Sequence, residues 1–92
     1  MTVVVVECAP AGLRGHLTRW LLEVRAGVYV GRISSRVRDH VWETVTSKLG
    51  KGSAVLIWTS QTEQGFAVRM AGDHARELFD SDGLTLVRVR TV

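Results

Sequence analysis

Trp20-Leu21-Leu22-Glu23-Val24-Arg25-Ala26-Gly27-Val28-Tyr29-Val30-Gly31 begins in helix chemistry and ends in strand chemistry. Reading backwards, apolar residues recur at Leu13, Leu17, Trp20, Leu21 and Val24, the spacing of one buried helical face. Arg14, His16, Arg19 and Glu23 stay on the wetter side, so the spacing predicts a helix carried through to Val24. Ahead of it, the β-branched run Val3-Val4-Val5-Val6 ends at Glu7-Cys8 and is punctuated by Pro10 and Gly12, which makes a strand feeding that helix. After Gly27, a residue that accepts positive φ, Val28-Tyr29-Val30 has strand composition and Gly31 interrupts it. The opening is therefore β-α-β. Between residues 27 and 34, one bent strand and two short ones are equally compatible with the sequence.

Further on, Ser34 or Ser35 caps a second helix whose stripe is Val37, Val41, Val45 and Leu49, widened by Trp42 and ended by Gly50 and Gly52. Residues 54–58 are almost continuously apolar, as in a central strand covered by helices on one face and by a partner on the other. A polar connection over 60–65 leads to Phe66, Val68 and Met70 alternating with Ala67, Arg69 and Ala71, which predicts a hairpin. Residues 73–83 read as polar and turn-like apart from Leu78 and Phe79, and a last strand runs over 84–91. An edge of that kind invites pairing with a neighbour. With no linker, repeat or low-complexity segment, the expectation is a single domain over 1–92. Its class is α+β, a ferredoxin-like sandwich with both helices on one sheet face and extra strands at the carboxyl end.

At 92 residues the chain has only modest capacity to bury a core of its own, and self-association would help it. Twelve Lys plus Arg against nine Asp plus Glu give a net charge of +3, and ten of the twelve bases are arginine. Guanidinium binds phosphate oxygens bidentately, so this bias points to nucleic acid, although a genome's arginine preference gives the same composition. The single Cys8 has no disulfide partner and no zinc-ligand spacing, which fits a reducing cytoplasm and a small buried hydrophobe. The amino-terminal apolar run lacks a basic flank and is too short to span a bilayer, so neither export nor membrane insertion is expected.

Glu7 is the one acid at the end of an apolar strand. A lone carboxylate is not a shell for magnesium or manganese, and hydrolysis would need its twin across a two-fold axis. His16, His40 and His74 form no ligand pattern, and Asp39, His40 and Glu43 read as an exposed helix face. Nucleophile-elbow, Walker-type and dinucleotide-binding patterns are absent from the sequence. Arg14 falls early in the first helix, and Arg36 and Arg38 early in the second, where cations oppose the helix dipole unless an external anion binds. For Arg38, a solvated arginine near Asp39 or another acid is an equal reading.

Taken together, the strand ending in Glu7, the step Leu13-Arg14-Gly15, the block from Trp20 to Gly31, Trp42-Glu43, Thr62-Glu63-Gln64-Gly65-Phe66 and Asp82-Gly83-Leu84-Thr85-Leu86-Val87 resemble the CRISPR-associated protein family two in its type I-E branch. The resemblance implies a ferredoxin-like homodimer that acts as a scaffold in spacer acquisition. Two copies would sit between dimers of the separate CRISPR integrase and hold the middle of a short double-stranded DNA. It implies backbone contacts from Arg14 and from Arg76, with His16, Arg19, Arg36, Arg38 and His74 as weaker contributors. Gly12 replaces a second arginine, and only Arg76 remains of an arginine pair in the later loop. The same family carries an activity label of metal-dependent endonuclease on RNA or double-stranded DNA, for which Glu7 would be the magnesium or manganese ligand where relatives often have aspartate. The carboxyl-terminal strand over 84–92, through Leu84, Leu86, Val87 and Val89, would dock on the integrase or complete the other protomer's sheet. A ferredoxin-like regulatory module that binds a small ligand or another protein is the reading from outside nucleic-acid biology.

Overall fold

The structure, a computed structural model, describes residues 1–72 in full and the backbone course of 76–81 and 84–89. In chain order the elements are β1 (Thr2–Glu7), α1 (Ala11–Leu17), β2 (Leu22–Arg25), β3 (Val28–Gly31), α2 (Ser35–Lys48), β4 (Ser53–Thr59), β5 (Phe66–Gly72), β6 (Arg76–Ser81) and β7 (Leu84–Val89). The first five strands make one antiparallel sheet in the order β2-β3-β1-β4-β5. The architecture is α+β, and the β2-β3-β1-β4 part, with helices after β1 and β3, is compatible with a ferredoxin-like fold.

The first helix is shorter than its apolar spacing predicts. It ends at Leu17, with Thr18 as C-cap, and the residues from Leu22 form a strand instead. Leu21 returns to the core while Trp20 and Val24 stay exposed, so the 3.6-residue period stops where the period of two begins. What decides this is the turn at Gly27. Its φ is +80°, and a Cβ there would lie 2.5 Å from the Val6 carbonyl oxygen. The chain therefore approaches β1 closely enough for the Gly27 carbonyl to accept from the Val6 amide at 2.8 Å. Backbone pairing of β2 with β3 replaces two helical turns, and residues 28–31 form a single strand.

The second helix follows its sequence closely. Ser34 is the N-cap, its hydroxyl accepting from the Val37 amide at 3.2 Å, and Val41, Val45 and Leu49 are buried. They meet Leu13 and Leu17 of α1 and the strand residues Val4, Val6, Tyr29, Ala54 and Leu56 in one core. All these strand residues belong to the same sheet face. On the opposite face the register aligns Leu22, Val30, Val3, Ile57 and Val68 in one row, with Val28, Val5, Val55 and Met70 in the next. The first of these rows is aliphatic across all five strands, the second reaches β2 at Arg25, and both helices pack on the other side.

Two local expectations are corrected. Cys8 is exposed, not a buried small hydrophobe, because the alternation of β1 ends at Glu7 and the backbone turns through a φ of +56° at Cys8. Residues 76–81, read as turn-like, form β6, which pairs with β7 from Arg76 opposite Val89 to Ser81 opposite Leu84. The overlooked signal was Asp82-Gly83, a two-residue hairpin dipeptide between those paired ends.

Candidate nucleic-acid interface

Arginines of the helix-covered side occupy both edges of the sheet. At the β2 edge, α1 directs Arg14 toward Glu23, and the guanidinium donates from Nη2 to Glu23 Oε2 at 2.9 Å. The same carboxylate oxygen accepts from the Gly27 amide at 3.2 Å, which anchors the pair to the β2–β3 turn. The fully buried Tyr29 brings its hydroxyl against both partners without completing a hydrogen bond. Interaction with Tyr29 and then with Glu23 raises the Arg14 pKa, so its charge is permanent. Glu23 is held below the usual carboxylate range by Arg14, then by the Gly27 amide and Tyr29. Burial raises the Tyr29 phenol. Arg14 remains 48% exposed and lines an open depression of about 280 Å³ with Val6, Cys8, Ala9, Ala26 and Gly27. Its place in the helix differs from the expectation: in a helix of seven residues Arg14 belongs to the last turn, where a cation suits the dipole.

At the β4–β5 edge, Arg38 of α2 lies with its guanidinium carbon 4.3 Å from the centre of the Trp58 ring. Arg69 of β5 approaches the same ring at 5.0 Å. Asp39 Oδ1 is 3.6 Å from Arg38 Nε and 3.6 Å from Arg69 Nη1, beyond good hydrogen-bond length for either. The Arg38 side chain is only 18% exposed, and its buried Nε makes no hydrogen bond. Sequence reading placed Arg38 near Asp39, as the structure has it, but missed Trp58 and Arg69. The signals were Trp58 closing the apolar run of β4 and Arg69 between Ala67 and Ala71, on the strand face that small residues leave accessible.

The remaining candidates are dispersed. His16 is half-buried between the helices, its ring centre 6.0 Å from that of His40. Desolvation, with Lys48, Arg19 and His40 nearby, lowers its pKa, so it is neutral near pH 7. Arg19 and Arg36 are exposed, and so is Arg25, which the sequence reading did not single out. Arg76 opens β6; Leu84, Leu86, Val87 and Val89 lie along β7; His74 falls outside the described residues. Glu7 is exposed at the end of β1, opposite Ser53. Among the described residues no three His, Cys, Asp or Glu side chains come together as a metal shell, and one chain's Glu7 does not fit magnesium or manganese by itself. Among the described residues no helix is long and apolar enough to cross a membrane.

Comparison with known protein families gives a model, described as CRISPR-associated protein (Cas_Cas2CT1978), that matches residues 1–86. The chain belongs to this CRISPR-associated family. Membership covers every element from β1 to β6 and supports a CRISPR-related role in defence. The basic edges, the aliphatic sheet face and the carboxyl-terminal hairpin of this Cas2-like protein are thus features of a CRISPR component.

Proposed function

We propose that this protein is a homodimeric scaffold of spacer acquisition in the cytoplasm, which holds double-stranded DNA through its backbone and bridges dimers of the CRISPR integrase. The observation that carries this reading is the asymmetry of the sheet. One face is closed by helices with arginines at both edges, and the other is aliphatic from Leu22 to Val68 with Leu22 69% exposed. A second copy seated on the aliphatic face would bury it and double the basic surface. Arg14 and Arg76 are the principal phosphate contacts, with His16, Arg19, Arg36, Arg38 and His74 subordinate. Phosphate contacts fix position without reading bases, as a protein that accepts diverse foreign DNA requires. Strand-transfer chemistry belongs to the integrase, and β7 with the residues to 92 is the docking element.

Reconstitution with the cognate integrase and a duplex tests this. Arg14→Ala with Arg76→Ala weakens duplex binding about equally for unrelated sequences and makes the salt dependence shallower. Unchanged affinity at low salt, with an intact circular dichroism spectrum, rejects the surface. In the same assay Glu7→Gln leaves complex formation and strand transfer unchanged, and truncation after Gly83 abolishes integrase binding. Loss of strand transfer with the complex intact, or of a magnesium-dependent cut by the protein alone, would restore a catalytic role for Glu7.

A further inference from the structure

We infer that Arg38 and Arg69, held on the Trp58 ring, form a second phosphate-binding point for duplex DNA at the β5 edge of the sheet. The inference rests on the duplex-binding reading above. Two guanidinium groups drawn to one indole and to one carboxylate oxygen repel each other, and among the described residues the site carries two positive charges against one negative. Asp39 is a weak counter-ion: its side chain is 60% exposed and its oxygen stands 3.6 Å from each arginine. Each guanidinium has five N–H donors, and the Asp39 oxygen that they share stands 3.6 Å from each, so the cluster is short of oxygen atoms even with the buried Arg38 Nε left out of an external anion's reach. A phosphate group provides them, and it binds the planar fork of arginine bidentately. Trp58 fixes the forks in place, which lowers the entropy lost on binding, and the indole face stabilises the cations before the anion arrives.

Position favours a polyanion over a free phosphate. Glu23, Tyr29, Val4, Leu56 and Arg69 are cross-strand partners in a single row over all five strands. At roughly 4.8 Å per strand, that row sets the Arg14–Glu23 pair and Arg69 about 19 Å apart on the helix-covered side. Backbone hydrogen bonds hold this spacing rigid. A duplex long enough to reach both edges gains from both, whereas inorganic phosphate gains from one.

The test is duplex binding by the intact protein across a salt series, with inorganic phosphate as competitor. Arg69→Gln is expected to lower affinity roughly three- to tenfold at 50 mM salt and to make the log–log salt slope shallower by about 0.9, the value of one lost phosphate contact. Arg38→Gln does the same, which guards against a folding effect in either variant. Asp39→Asn is expected to raise duplex affinity, because it removes the competing acid. A purely structural ion pair would instead lower stability and leave affinity alone. Wild-type affinity and slope in Arg69→Gln and Arg38→Gln, while Arg14→Ala with Arg76→Ala still loses binding, overturn the second point and leave the scaffold reading standing. If none of these variants loses binding, both readings are overturned. Equal competition by millimolar inorganic phosphate at the intact and Arg69→Gln sites also counts against it.

Discussion

The two edges of the sheet hold their arginines by opposite means. At the β2 edge, Arg14 is matched one-to-one with Glu23, and Glu23 is tied to the Gly27 amide, so the half-exposed guanidinium is fixed to a backbone turn. At the β5 edge, two arginines share one distant acid and lean on an aromatic ring, leaving a net positive charge and a buried donor unsatisfied. An ion pair anchored to main chain organises a fold. A cation pair on a π-surface is held in place by the ring and keeps a net charge that an anion can complete. The lesson is that counting basic residues on this surface misjudges them, because charge available to a ligand depends on which acids the fold has already brought to each arginine.

The largest effect that would break the contrast is expected at Gly27. Gly27→Ala forces a Cβ against the Val6 carbonyl and a non-glycine residue into a φ of +80°. We expect a loss of about 3 kcal/mol or more, measured by urea unfolding, since strain and a backbone clash add. A loss below about 1 kcal/mol would show that the β2–β3 turn does not anchor that edge.

A smaller effect sharpens it. Glu23→Gln releases Arg14 from its acid and is expected to raise duplex affinity roughly threefold at 50 mM salt, with a steeper salt slope. The variant also tests the linkage at that edge. Because the folded-state pKa of Glu23 is depressed, its contribution to stability is present above the ordinary carboxylate pKa and is lost as pH falls through the depressed value. Glu23→Gln should remove that part of the acid sensitivity, and an unchanged stability profile below pH 4.5 would argue against the pairing.

The smallest effect concerns His16, which lies between the helices and belongs to neither edge. Burial lowers its pKa from the usual 6.5, so the unfolded chain binds the proton more readily. Its stabilising share is complete above 6.5 and is lost as pH falls toward the lowered folded value. His16→Gln should flatten the fall in unfolding free energy, measured by urea denaturation, between pH 7 and pH 5. A wild-type slope in that variant would assign the titration to another group.

Much of this architecture is legible from residues alone. The stripe from Val37 to Leu49, the apolar run of β4 and the alternation of β5 all follow from side-chain period, because burial on one face repeats every turn of helix or every second strand residue. The early placement of Arg36 and Arg38 in α2 and the exposed position of Glu7 follow for the same reason. Sequence by itself therefore determined the α+β class, most elements and which residues carry charge. Tertiary structure decided where helix gave way to hairpin after Leu17, since β2 exists by pairing with β3 and no local preference announces that partner. It also decided which arginines share acids: Glu23 reaches Arg14 across nine residues, and Trp58 and Arg69 reach Arg38 only because β4 and β5 lie under the start of α2. Such juxtapositions depend on strand order and register, which a one-dimensional pattern does not encode.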